Sequence, residues 1–193
     1  MKVNSWKKGF FLLLSINLLV LLFFVITIFL PAQNNKYDKQ NSELNGYVPF
    51  LIHTKKDNLN QVINHYIKKE ASGGPVEYQV VLGKEVELYG VIPIFSEEIQ
   101  MKMTFEPKAL ENGDLILQQK SMSIGQMKLP VTYVLKFIAD RYHLPKGVLI
   151  QPNEKLVYIS MQKLKLKSDF KVKVNEFDLK KDNISFQFYV PTK

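Results

Sequence analysis

Residues Ile99–Glu106 read IQMKMTFE. Apolar and polar side chains alternate without a break, with Ile99, Met101, Met103 and Phe105 on one side and Gln100, Lys102, Thr104 and Glu106 on the other. Period two marks a strand with one face turned to an apolar interior. Two of the four apolar positions are methionine, whose unbranched thioether fills irregular space and adapts to variable ligands. The fold turns on what covers this face.

Working outward, the neighbours are also strands. VEYQVVLG and EVELYGVIPI precede the stretch, the second with Val86, Leu88, Ile92 and Ile94 on one face. Glu111-Asn112-Gly113-Asp114 is a turn signal leading into LILQQKSMSIG. Pro93 and Pro107 point to strand ends or edges, because proline cannot donate to a ladder. Upstream, Val48, Phe50 and Ile52 alternate in a short strand. A helix follows, with Leu59, Val62, Ile63, Tyr66 and Ile67 on one apolar face. Thr54 or Asp57 caps its start, Lys68 and Lys69 suit its C-terminal dipole, and Ser72-Gly73-Gly74-Pro75 ends it. A second helix lies in LPVTYVLKFIADRY, where Val131, Val134, Leu135, Ile138, Ala139 and Tyr142 share a face and Pro130 sits near the start. KGVLIQP, KLVYISMQKLKLKSDFKVKVNEFDLKK and ISFQFYV then read as three strands to the end. The order is an α+β plan with a long antiparallel sheet and only two helices to cover it.

The N-terminus is of another kind. Gly9–Leu30, GFFLLLSINLLVLLFFVITIFL, carries no charge. At 1.5 Å per helical residue it spans roughly 33 Å, a bilayer core. Lys2, Lys7 and Lys8 precede it, so the positive-inside rule puts residues 1–8 in the cytoplasm as a stub and the rest outside. The run exceeds the apolar segment of a cleaved signal peptide and ends in the poor cleavage site Leu30-Pro31-Ala32, which favours an uncleaved anchor at 9–30. Asn17 within it either pairs anchors across helices or is simply tolerated. Residues 31–46 are polar and aperiodic and read as a tether with a root-mean-square reach of roughly 20–25 Å. Residues 47–193 form the extracytoplasmic α+β domain. The chain has no cysteine, which excludes disulfides, thiolate metal sites and an acylated-cysteine anchor. A domain of that length holds together by its core.

Of the net charge of +8, the three stub lysines leave +5 outside. Arg141 is the one arginine among 26 basic residues. Phosphate and base-edge recognition favour arginine, so composition and topology both argue against nucleic acid and for an anionic membrane surface. Lys163, Lys165 and Lys167 alternate with Leu164 and Leu166, and Lys171 and Lys173 with Val172 and Val174. This lysine comb is either a solvated face that discourages edge pairing or a surface for anionic headgroups or wall polymers. Catalytic signals are weak. There is no G-x-S-x-G elbow and no Gly-rich phosphate loop. His53, His65 and His143 are far apart and lack metal-ligand spacing. Glu85, Glu87, Glu97, Glu98 and Glu106 are the carboxylates a paired acid–base mechanism would draw on, but Glu85 and Glu87 alternate with Val86 and Leu88, as on a solvated sheet face. No enzyme, metal or organic cofactor is expected.

Four motifs carry a resemblance: G-x-x-P-[IV] at Gly90–Ile94, F-x-P at Phe105, G-D-L-x-L at Gly113–Leu117, and S-I-G-x-M-x-L-P at Ser123–Pro130. With TKKDNLNQVINHYI and LPKGVLIQP, they make residues 47–190 resemble the YpmS family of Gram-positive bacteria, a domain of unknown function for which the N-terminal anchor is also typical. The layout is more distantly similar to tubular lipid-binding folds, which implies a long curved antiparallel sheet wrapped on one or two helices around a greasy channel. On that likeness Leu88, Ile92, Met101, Met103 and Phe105 would line an acyl-chain groove, with Leu135 and Ile138 closing it. Lys163, Lys165, Lys167, Lys171 and Lys173 would face anionic headgroups. The resemblance offers no catalytic residue. Its frequent lipase-like gene neighbours imply an alternative: a structural or interaction module that recruits or positions an envelope enzyme. The expectation is a single-pass cell-membrane protein with a lipid or lipid-linked envelope polymer as ligand.

Overall fold

A computed structural model describes residues 4–29, 46–71, 78–94, 97–126, 128–141, 144–164 and 169–192. The chain divides into two compact units, Met1–Gln33 and Asn34–Lys193. The first holds helix α1, Asn4–Phe29, in which Trp6–Ile26 is long and apolar enough to cross a membrane. The Asn17 side chain donates 3.0 Å back to the Leu13 carbonyl of its own helix, so its amide has a partner without a second anchor. The tether at 31–46 falls outside the described residues except Gly46.

The second unit is α+β with antiparallel strands, and the strands form two sheets. In the larger the order is β2 (Tyr78–Leu82), β3 (Val86–Ile94), β4 (Glu97–Ala109), β5 (Leu115–Ile124), β7 (Leu156–Ile159), β6 (Val148–Gln151). The smaller is β1 (Tyr47–Thr54), β9 (Asn183–Pro191), β8 (Lys171–Asp178). Helices α2 (Lys56–Ala71) and α3 (Val131–Arg141) complete the unit.

Two bulges settle the register. In β5, Leu115 and Leu117 are odd-numbered and Met122 and Ile124 even-numbered, yet all four belong to or pack on one core. The pairing with β4 passes from Thr104↔Ser121 to Phe105↔Gln119, so Lys120 is the extra residue that resets the parity. In β8 the shift falls at Asn175, after which the inward series Val172, Val174 continues as Phe177 and Leu179.

The face of IQMKMTFE is buried: Met101, Met103 and Phe105 join Leu135 of α3 and Val172, Val174, Ile184 and Phe186 of the small sheet in one core. Helices alone do not cover the large sheet; a second sheet does much of it.

Two expectations are corrected. The long run 155–181 is not one strand. Ser160 N–H donates 2.8 Å to the Gly147 carbonyl and Lys163 N–H donates to Ser160, so the chain turns after β7 and pairing resumes at Lys171. On α2, Val62 and Tyr66 are about half exposed, while Leu59, Asn60, Ile63, Asn64 and Ile67 face inward. The reason is a pair of side-chain clamps. Asn60 accepts from Leu82 N–H (2.7 Å) and donates to the Leu82 carbonyl, and Asn64 does the same with Val80. One helical turn apart, the two amides act like a partner strand on the outer edge of β2.

Candidate functional site

Of the groove candidates, Met101, Met103, Phe105 and Leu135 are 7%, 0%, 3% and 1% exposed. Leu88, opposite Met103 in the ladder, and Ile138 are half-buried against the same cluster. Ile92 is in register with Ile99, and its side chain lies outside the described residues. The six described members of the set come together in one packed interior.

The described lysines of the series, Lys163, Lys171 and Lys173, lie on two different elements. Lys163 is exposed in the turn after β7, and Lys165 and Lys167 lie outside the described residues. Lys171 and Lys173 are on the face of the small sheet away from the core, over the rings of Tyr47 (4.5 Å) and Tyr189 (5.8 Å). Stacked lysine–tyrosine pairs present an apolar body and a charged tip.

Other polar groups are engaged in holding the fold. Asp114 is buried, accepts from the Tyr158 hydroxyl, and takes the Met161 N–H at 2.9 Å and the Asn112 amide at 2.8 Å. Glu87 takes hydrogen bonds from Tyr89 and Lys102, which hold its carboxyl below the usual range. Lys120 does the same for Glu106. Carboxylates held in this way stay charged at neutral pH and are poorly matched to general-acid work. His53, Thr54, Lys55, Asn58, Asp182 and Asn183 line an open depression of about 250 Å³. There Asp182 accepts from Lys56 N–H at 2.8 Å and caps α2. His65 is exposed beside Tyr66, and His143 lies outside the described residues. Among the described residues no three His, Asp or Glu side chains gather as a metal site.

The unusual feature is β1. Ladder register puts Val48, Phe50 and Ile52 on the face that continues through Val190, Phe188 and Phe186 to Val172 and Val174. At the β8 end this face is core. At the β1 end it is open, with Val48 43%, Phe50 53% and Ile52 43% exposed. Leu51, on the other face, is 55% exposed. Fully burying one such side chain is worth roughly 1.5–3 kcal/mol, and about half of each of Val48, Phe50 and Ile52 stays open. The sequence reading took β1 for an ordinary alternating strand. The available signal was that YVPFLIHT is apolar on both faces, uncharged, and broken by a proline.

These features define a class: an α+β domain of two antiparallel sheets behind an N-terminal membrane-length helix, with an open apolar sheet flank. The chain belongs to the DUF2140 family, described as an uncharacterized protein conserved in bacteria, whose model matches residues 4–190. It is 31% identical over 189 residues to the "Uncharacterized protein YpmS" of Bacillus subtilis (strain 168), covering 98% of this chain and 99% of that protein. No solved structure matches it.

Proposed function

We propose that this protein is a membrane-anchored, extracytoplasmic, non-catalytic module that binds lipid or a lipid-linked envelope polymer through an apolar surface. The observation that carries this reading is the open flank of the small sheet. Val48, Phe50 and Ile52 extend the core face of β8 and β9 to an end where about half of each side chain is exposed. An acyl chain laid along the flank would gain burial without disturbing the packed set around Met103. Lys171 and Lys173, with their tyrosines, are on the opposite face of the same sheet, suited to anionic headgroups.

The test is a photo-reactive phenylalanine analogue at Phe50 in the full chain, irradiated in its membrane, with the adduct identified by mass. A lipid-mass adduct at Phe50, absent from the same probe at the exposed Tyr133 of α3, is the expected result. Capture of a single envelope protein instead would replace the lipid reading with that of a recruiting module.

A further inference from the structure

The face of β1 can be covered by lipid, but its edge cannot. The Gly46 carbonyl accepts from Thr192 N–H at 2.9 Å, so this carbonyl points toward β9. Backbone polar groups alternate sides along a strand. Therefore Val48, Phe50, Ile52 and Thr54 bond β9, and Tyr47, Pro49, Leu51 and His53 turn their N–H and C=O groups outward. Pro49 fits this parity, since its missing N–H falls on the side away from the ladder. Two other edges carry backbone partners: β2 along its length from the Asn60 and Asn64 amides, and β8 at Val174, whose N–H donates 2.8 Å to the Gly113 carbonyl. No described strand or side chain pairs with the outer edge of β1. It has no lysine to discourage pairing either, in a chain with 26 basic residues.

We infer that β1 pairs antiparallel with β1 of a second copy of this chain. The outward N–H and C=O groups of β1 border the face where the lipid reading puts an acyl chain, and a paired strand would keep them out of contact with hydrocarbon. The strand is self-complementary. With Phe50 opposite its own copy on a dyad, Tyr47 meets His53 and Pro49 meets Leu51. Every outward N–H then finds an outward carbonyl: Tyr47 and His53 exchange both bonds, and Leu51 donates to Pro49. On the apolar face Phe50 stacks beside Phe50, and Val48 lies against Ile52. No charge meets a like charge within the pair. With α1 in a membrane, copies are confined to two dimensions, which favours their meeting. The pairing joins two three-stranded sheets into one six-stranded sheet and makes the two open flanks contiguous. It goes beyond the lipid reading and does not depend on which lipid is bound.

The chain has no cysteine, so a single introduced thiol reports directly. Across the dyad Phe50 is a non-hydrogen-bonded pair, with Cα atoms about 4.5 Å apart, within disulfide reach. Full-length Phe50→Cys, oxidised mildly in its membrane, is expected to form disulfide dimer at least tenfold faster than Leu51→Cys or Tyr89→Cys. Adding Leu51→Pro, which removes an outward N–H and leaves the β9 ladder intact, is expected to abolish that dimer. Leu51→Lys in the same background is a second, milder block. Dimer formation that is absent, equal at all three positions, or indifferent to both blocking substitutions overturns the pairing. So does a disulfide or photo-crosslink to a different protein at residue 50. A lipid adduct at Phe50 in a chain that never dimerises would overturn the pairing alone and leave the lipid reading standing.

Discussion

At the scale of single residues, Gly113 and Asp114 do more than turn the chain between β4 and β5. Gly113 has φ of +88°, and a Cβ there would come within 2.4 Å of the Lys173 side chain. Only glycine allows that approach, through which its carbonyl reaches Val174 on the other sheet. Beside it, the Asp114 carboxylate gathers Tyr158, Met161 and Asn112. Asp114→Ala removes the acceptor that Tyr158, the Met161 N–H and the Asn112 amide share, a charged and buried one, and a hydrogen bond to a charged group is worth about 1.5–3 kcal/mol. The expected outcome is a loss of about 2–4 kcal/mol in denaturant unfolding of the full chain, with an unchanged m-value. The sequence marked Asn112-Gly113 as a turn by its chemistry. It did not mark Asp114 as a buried hub, because its partners Tyr158 and Met161 are more than forty residues away.

At the scale of elements, α2 shows how a correct element can present a different face. The sequence placed the helix by its apolar spacing, and it is there. Its rotation is decided by Asn60 and Asn64, whose amides close the edge of β2 and leave Val62 and Tyr66 in solvent. Replacing both asparagines by leucine keeps helix propensity and removes the clamps. Val80 and Leu82 N–H groups then lose their acceptors, at about 1 kcal/mol or more each. The expected result is faster amide exchange at Val80 and Leu82 and concentration-dependent aggregation through the bared edge, read by hydrogen exchange and light scattering. A hydrophobic count could not anticipate this, since the decisive interactions are polar ones.

At the scale of the whole molecule, the chain joins a membrane-length helix to one α+β unit. If α1 is an anchor with residues 1–8 in the cytoplasm, a cysteine at Tyr89 is labelled by a membrane-impermeant thiol reagent in intact cells. One at Trp6 is labelled only after the cells are opened. The reverse pattern would invert the topology. The absence of native cysteine makes the background zero.

What the sequence determined by itself was local and periodic. It set the uncharged span, the alternating strands around IQMKMTFE, the two helices and the family. All rest on patterns within a few residues, which propensity and amphipathicity write directly. Tertiary structure decided which strands pair and what lies opposite each apolar face. β8 and β9, far downstream of Met103, leave the large sheet and cover it as a second one, so the methionines are packed. The same departure carries β1 beyond the core and leaves Phe50 and Ile52 exposed. The physical reason is that a strand's alternation says which side chains share a face and nothing about what that face will meet. Exposure at Phe50 follows from its pairing with Phe188 near the other end of the chain, and burial at Met103 from packing against strands far downstream of it.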